Sequence, residues 1–283
     1  YVKNPLLSLM DTDEAKGRNF SGTLGLEWDI VKGLTFRTSA TAQYNVNKYS
    51  TYSIAWYDEA ESSASVSKNE SYTYMWDNTL SYVNTWKKHS LVGLAGFSIE
   101  KYESDGLGAS GSGFPDDQVL TNLNSAAKKN SISSSYSSNT LASFLSRLEY
   151  KFNNRYLLTL NFRADGSSQY SANYNGSLSY SPDKRWGYFP SGAIAWIITE
   201  ENFMKDYANI VSYLKLRGSI GKTGSQNLGA YDWRTLMGSA TYNGVAGIVP
   251  SSLGNDILQW EEQVQKEIGL DYGFWDDRIR GTL

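Results

Sequence analysis

The chain has 283 residues, a single histidine (His89), no cysteine and a formal net charge of −3. Disulfides, thiolate metal sites and cysteine nucleophiles are therefore excluded, a zinc site or catalytic triad would rest on one histidine, and no basic block offers a footprint for nucleic acid. Aromatics reach 14%, with 21 Tyr, 9 Trp and 10 Phe, while hydrophobics total only 40% and mean hydropathy is negative; a soluble core prefers Leu, Ile and Val, whereas a membrane barrel combines an apolar outer face, aromatic girdles and a polar lumen.

Residues 1–19 carry no apolar leader run, and the longest apolar run, Ala193 to Ile198, is far short of the roughly 20 residues of a membrane helix. The chain reads as an internal segment of a longer protein. A period of two begins at Phe20. Phe20, Gly22, Leu24, Leu26, Trp28 and Ile30 alternate with Ser21, Thr23, Gly25, Glu27 and Asp29. After the turn Val31-Lys32-Gly33, Leu34, Phe36, Thr38, Ala40, Ala42 and Tyr44 alternate with Thr35, Arg37, Ser39, Thr41, Gln43 and Asn45. Further strands are predicted near 71–83, 89–101, 139–152, 155–165, 186–198, 212–223 and 258–275, with a tenth beginning at Ile279. The segment 89–101 is ambiguous, because Leu91, Val92, Leu94 and Phe97 place apolar groups on both faces. Asn78 falls on the apolar parity of 71–83, and a bulge that shifts the parity would explain it. Lys222 and Lys266 also have the apolar parity, near strand ends where a Lys can snorkel.

These strands run to about 10–14 residues, against roughly 5–6 in globular proteins and about 9–11 for a tilted membrane strand. The connections alternate in length. Short turns are predicted at 31–33, 84–88, 153–154 and 276–277, with a longer one at 199–211; long loops are predicted at 47–70, 102–138, 166–185 and 224–257. Outer-membrane barrels have short periplasmic turns and long external loops, so Asn153-Asn154 is expected to face the periplasm. The stretches Gly106–Gly113 and Ser131–Ser138 are expected in external surface loops. The fold class is thus all-β: a transmembrane antiparallel up-and-down β-barrel, present as a partial wall of about nine or ten strands over residues 1–283.

Several longer motifs carry a resemblance. Arg155-Tyr156-Leu157-Leu158-Thr159-Leu160-Asn161-Phe162-Arg163-Ala164-Asp165-Gly166-Ser167-Ser168, Arg185-Trp186-Gly187-Tyr188-Phe189-Pro190-Ser191, and Leu214-Lys215-Leu216-Arg217-Gly218-Ser219-Ile220-Gly221-Lys222-Thr223-Gly224-Ser225-Gln226 occur in that order. Trp260-Glu261, Ile268-Gly269-Leu270-Asp271-Tyr272-Gly273-Phe274 and Arg278-Ile279-Arg280-Gly281-Thr282 follow. The chain resembles the SusC/RagA-type TonB-dependent outer-membrane transporters over nearly its whole length, most specifically over 139–283. It departs from them in the insertion Gln169–Lys184, with Tyr170, Tyr174 and Tyr180, and in Ser225 where Asn is commoner. The resemblance implies a 22-stranded barrel closed by a plug, energised through TonB and capped by a SusD-like lipoprotein. It also implies contact with outer-membrane lipid, glycan or peptide cargo, and no cofactor. The plug, the TonB box and the remaining strands are not in this chain.

Other features have plainer readings. Adjacent carboxylates at Asp58-Glu59, Glu200-Glu201, Glu261-Glu262 and Asp276-Asp277 suggest acid–base pairs, but neighbours on a strand point to opposite faces, so solvated rim charges are expected. Asp116-Asp117 could take calcium, yet lacks a twelve-residue loop pattern. Gly106-Leu107-Gly108-Ala109-Ser110-Gly111 fits G-x-G-x-x-G without the βαβ unit that gives it meaning. Arg37, Arg147, Arg163 and Arg217 share the polar parity and are candidate lumen-facing residues, touching plug or solute or simply filling the lumen with hydrogen-bonded side chains. Trp56, Tyr57, Tyr231, Trp233 and Tyr242 are candidate external aromatics for stacking on cargo, or pack within their own loops. The rival reading is a soluble or secreted all-β carbohydrate-binding module. In it Leu24, Leu26, Leu158, Leu160, Phe162, Ile194 and Trp196 would point inward onto a second sheet. Nothing in the sequence assembles an enzyme site.

Overall fold

The computed structural model describes residues 5–57, 60–170, 184–255 and 257–283. Strands dominate. β1 (Thr12–Val31), β2 (Leu34–Ser53), β3 (Ser63–Trp86), β4 (His89–Ser112) and β5 (Lys128–Phe152) are long; β6 (Tyr156–Ser167), β7 (Trp186–Ile197), β8 (Val211–Ser225) and β11 (Glu261–Phe274) are shorter. β12 (Ile279–Thr282) ends the order, and β9 (Leu236–Tyr242) with β10 (Val245–Ser252) forms a separate hairpin. Ten strands make one sheet in chain order, with β8 followed by β11 and then β12. β1 and β12 each have one neighbour, so the sheet is open, as expected for a partial wall. Pairing is antiparallel throughout β5–β8, β11 and β12.

Local chemistry accounts for the turns. Asn153 (φ 49°) and Asn154 (φ 56°) are both left-handed, the arrangement a two-residue hairpin matched to strand twist requires and one that Asn tolerates. The longer connection between β7 and β8 contains 3-10 turns at Ile198–Glu200 and Asn202–Tyr207.

Two expected loops are much shorter than the sequence pattern suggests. β2–β5 run 20, 24, 24 and 25 residues, so 47–70 and 102–138 shrink to 54–62 and 113–127. Ser131–Ser138 lies inside β5, and Gly106, Gly108 and Gly111 lie inside β4. The backbone ladder continues through these polar stretches, with cross-strand pairs such as Thr51–Ser65 (2.7 Å) and Ser110–Ser131 (2.8 Å). Glycine leaves room for the hydroxyls opposite: a Cβ at Gly106 would lie 2.5 Å from Ser135 Oγ, and one at Gly108 2.8 Å from Ser133 Oγ. The loop 224–257 is also not structureless, since it carries the β9–β10 hairpin. Asp58, Glu59, Tyr174 and Tyr180 lie outside the described residues.

The chain divides into two compact units: residues 1–24, 40–75 and 100–139, and residues 25–39, 76–99 and 140–283. The first has a small core of Tyr52, Ile54 and Ala64, with Leu7, Phe114 and Leu123 packed on it. Tyr52 meets Phe114 edge-on at 5.1 Å and donates to Asp117 Oδ1 at 2.6 Å. The second has a core of Tyr170, Phe189 and Trp260, with Leu141, Leu228 and Leu258 around it.

Candidate functional site

Antiparallel pairing places directly opposite residues on one face. Arg147 faces Asn161, and Asn161 faces Ser191. Leu157 and Arg217 both face Ala195. Arg147, Arg163 and Arg217 therefore share a face. Arg37 joins them, because its neighbour Thr38 bonds to Trp76 on the opposite face, which continues through Phe97 to Phe144. Each of the four guanidinium groups meets a carboxylate. Arg37 bonds Glu27 (Nε to Oε2, 2.9 Å), and Arg147 pairs with Glu149. Arg163 Nε bonds Asp165 (2.6 and 2.8 Å), and its Nη2 donates to Ser143 Oγ at 3.2 Å. Arg217 bonds Glu267 at 2.6 Å and pairs with Asp271 at 3.5 Å. It lies across Gly269, where a Cβ would come within 2.7 Å of the guanidinium. This is a hydrogen-bonded polar wall of paired charges.

The other face is apolar and aromatic. Leu24 (83%), Ile194 (65%) and Ile268 (84%) stand exposed. Along the short-turn ends runs a belt: Trp86 stacks on His89 at 5.4 Å, His89 meets Phe152 at 4.9 Å, and Phe152, Tyr156 and Trp196 follow at 6.4 and 6.5 Å. His89 Nδ1 also bonds the Tyr150 hydroxyl at 2.6 Å. Asn78 sits on this face without the parity shift a bulge would cause, since Tyr74, Trp76, Leu80 and Tyr82 are exposed on the same parity on both sides of it. A polar relay accommodates it instead: the Trp76 indole N–H donates to Thr38 Oγ1 (3.1 Å), and the Thr38 hydroxyl donates to Asn78 Oδ1 (2.8 Å). Lys222 pairs with Glu262 at 2.5 Å on the adjacent strand, rather than relying on snorkelling alone.

The external aromatics separate. Trp56 and Tyr57 contact each other edge-on at 4.6 Å. Arg234 lies 4.4 Å above the Trp233 ring, so that ring packs within its own loop. Tyr231 is partly buried in the same loop. Tyr242, at the β9–β10 tip, is 88% exposed. The sequence reading missed the cluster at the long-loop ends of β6, β7, β8 and β11, in which Phe189 and Trp260 come from the motifs quoted above and Tyr170 from the insertion after the first of them. Trp260 Nε1 donates to Arg185 O at 2.8 Å, Tyr170 OH to Ser225 O at 3.2 Å and Gln169 Nε2 to Leu228 O at 2.7 Å. Those motifs therefore weld the root of the 226–260 connection. Convergence of Gly, Trp and Phe in three separated motifs was the available signal.

The acidic pairs have structural partners. Asp116 accepts the backbone N–H groups of Gln118 and Val119, the latter at 3.0 Å, and these hold its carboxyl below the usual range. Lys128 and Ser112 beside Glu61 do the same for its carboxyl. Among the described residues no group of three or more His, Cys, Asp or Glu could hold a metal. Glu201 accepts from Tyr156, Trp196 and Arg155. Because both depressed carboxyls are stabilising when ionised, their contribution is complete above the unfolded value near about 4 and is lost as pH falls through the lower folded values. Hydrogen exchange, corrected for its intrinsic pH dependence, is expected to show segments 60–62 and 113–127 losing protection as pH falls through those values. Protection that does not change between pH 7 and those values, or falls on raising pH, would contradict the assignment.

An open antiparallel sheet in chain order, polar and charge-paired on one face, aromatic-belted and apolar on the other, is the wall of an outer-membrane β-barrel. The chain matches the family described as TonB dependent receptor-like, beta-barrel over residues 3–283 and belongs to it. It is 30% identical to TonB-dependent receptor P39 of Formosa agariphila over 293 aligned residues, covering 100% of this chain and 27% of that protein. It is 40% identical to TonB-dependent receptor SusC of Bacteroides thetaiotaomicron over 156 residues, 51% of this chain and 14% of that protein. The fold matches the RagAB peptide transporter with a TM-score of 0.86 at 23% identity, over 98% of this chain and 30% of that one. The siderophore receptor PiuA from Acinetobacter baumannii matches at 0.52 and 16% identity, over 95% and 40%. The chain thus spans less than a third of the length of the curated relatives it matches. The family is one of receptors and transporters, not of enzymes.

Proposed function

We propose that these ten strands are part of the barrel of a SusC/RagA-type importer in the outer membrane of a Gram-negative bacterium. The full-length protein would carry a plug, draw energy from TonB, and admit glycan or peptide cargo beneath a SusD-like surface lipoprotein. The observation that carries this reading is the two-faced sheet, charge-paired on one face and apolar with an aromatic belt on the other. A soluble carbohydrate-binding module would have to cover Leu24, Ile194 and Ile268 with a second layer, and the ten-stranded sheet supplies none over its apolar face. Arg37, Arg147, Arg163 and Arg217 line the lumen in this reading, and Trp56, Tyr57, Tyr231, Trp233 and Tyr242 are the external aromatics available to cargo, with Tyr242 the most accessible.

The test is a loop exchange in the full-length receptor. Replacing 230–255 with a short Gly-Ser linker keeps Leu228, Leu258 and Trp260 and removes the hairpin. Cargo binding is expected to weaken on the order of tenfold or more, the scale of losing interface anchors. Exchanging Asn153-Asn154 for Asp-Gly, an equally good hairpin turn, is expected to leave binding unchanged. An unaffected loop variant with a dead turn variant would overturn the assignment of cargo contacts to the external end.

A further inference from the structure

The apolar face has a dent. Register aligns Leu158, Ile194, Gly218 and Ile268 in one row across β6, β7, β8 and β11. Gly218 is the only member without a side chain, and a Cβ there would meet nothing closer than Glu267 O at 3.9 Å. The row nearer the short turns contains Tyr156, Trp196, Leu216 and Leu270. Together these residues enclose an open groove of about 620 Å³, walled by Tyr150, Tyr156, Leu158, Ile194, Trp196 and Ile268 with Gly218 at its floor. Its lining is almost wholly carbon.

One end of the groove is built with polar partners. Tyr156 OH donates to Glu201 Oε1 at 2.7 Å, Trp196 Nε1 to the same oxygen at 3.2 Å, and Arg155 Nη1 to Oε2 at 2.8 Å. The Arg155 and Glu201 side chains are only 21% and 13% exposed. These bonds tie the polar edges of both rings toward the β7–β8 connection and leave their apolar bodies as walls. Amphipathic rings held this way mark a membrane–water boundary.

We propose that this groove is a binding site for a phospholipid of the periplasmic leaflet, with one acyl chain lying over Gly218 and the headgroup at the rim beside the Arg155–Glu201 pair. The inference rests on the membrane-barrel reading above. Three features select this occupant. The groove is continuous with the lipid-facing surface and lies toward the short-turn, periplasmic ends. It starts at an aromatic boundary and runs away from it, as an acyl chain does from its headgroup. The rim charge is a mutually paired, mostly covered Arg155–Glu201 couple with no net charge, which favours a headgroup without net charge, namely phosphatidylethanolamine, over an anionic one.

The test uses the full-length receptor in detergent, titrated with palmitoyl-oleoyl phosphatidylethanolamine and read by native mass spectrometry. Gly218→Phe fills the groove; Ile220→Phe, on the same strand and face but outside the lining, is the control. Wild type and Ile220→Phe are expected to retain one lipid more than Gly218→Phe. Equal retention in all three overturns the site, and retention of phosphatidylglycerol in preference overturns the headgroup assignment. If Gly218→Phe does not fold, judged by heat-modifiable gel migration, the unmodified receptor is labelled with a phosphatidylethanolamine bearing a diazirine in mid-chain. Labels concentrated on Ile194, Trp196 and Leu216 support the site, and labels spread evenly over the lipid-facing strands overturn it. A receptor that inserts in the outer membrane but holds no such lipid defeats this inference alone. A receptor absent from the outer-membrane fraction defeats the functional reading beneath it.

Discussion

Leu160→Arg in the full-length receptor is expected to cost about 2–4 kcal/mol, the range for a charged residue on the lipid face near the bilayer midplane. Leu160 stands between Leu148 and Gly192 on the apolar face and is 45% exposed in the sheet. Its guanidinium replacement would meet hydrocarbon with no carboxylate beside it. Asn161→Arg, one residue on, points to the opposite face. It gives up the bond to Ser191 Oγ at 3.1 Å and places a cation opposite Arg147. A lost hydrogen bond of about 1 kcal/mol and a like-charge pair of up to about 1 kcal/mol bound that loss at the bottom of the range for the other. Reversible unfolding in lipid measures both, and equal losses would show that the two faces have been assigned wrongly.

Trp260→Ala is expected to cost about 3–5 kcal/mol, as for other buried large aromatics. Trp260 is 8% exposed, lies 5.0 Å from Tyr170 and 5.4 Å from Phe189 by ring centroid, and donates to Arg185 O. The cluster cannot collapse onto the cavity easily, because the neighbouring backbone already touches Phe189. Cβ atoms at Gly187 and Gly224 would lie 2.4 and 2.2 Å from that ring. The cluster also fixes both ends of the 226–260 connection through Leu228 and Leu258, so hydrogen exchange there should accelerate with the same substitution. Tyr242→Ala, at the exposed hairpin tip, is expected to stay within about 0.5 kcal/mol. Unfolding midpoints that fall equally for both would remove the case for a structural weld.

The facing of the strands was legible residue by residue. Phe20 to Ile30 and Tyr156 to Asp165 alternate because each strand meets two different media, and a period of two survives any detail of pairing. The hairpin order followed from the short turns, where Asn153-Asn154 has the backbone tolerance the turn demands. The β9–β10 hairpin also had a local sign, Asn243-Gly244, both with positive φ, but it lay inside what the sequence showed only as a long polar loop.

By itself, then, the sequence determined that this is a two-faced β wall, which side chains lie on which face, and the family to which its motifs belong. Only the tertiary structure decided where the strands stop, how misfit residues are satisfied, and what the motifs do. Toward their long-loop ends β2–β5 become rich in Ser, Thr and Asn, so apolar alternation fades there while the backbone ladder, joined by pairs such as Thr51–Ser65 and Ser110–Ser131, does not. Asn78 is placed by Thr38, 40 residues earlier. The Trp260 indole finds its acceptor at Arg185, 75 residues away. Such partners are set by strand register and leave no periodic mark along the chain.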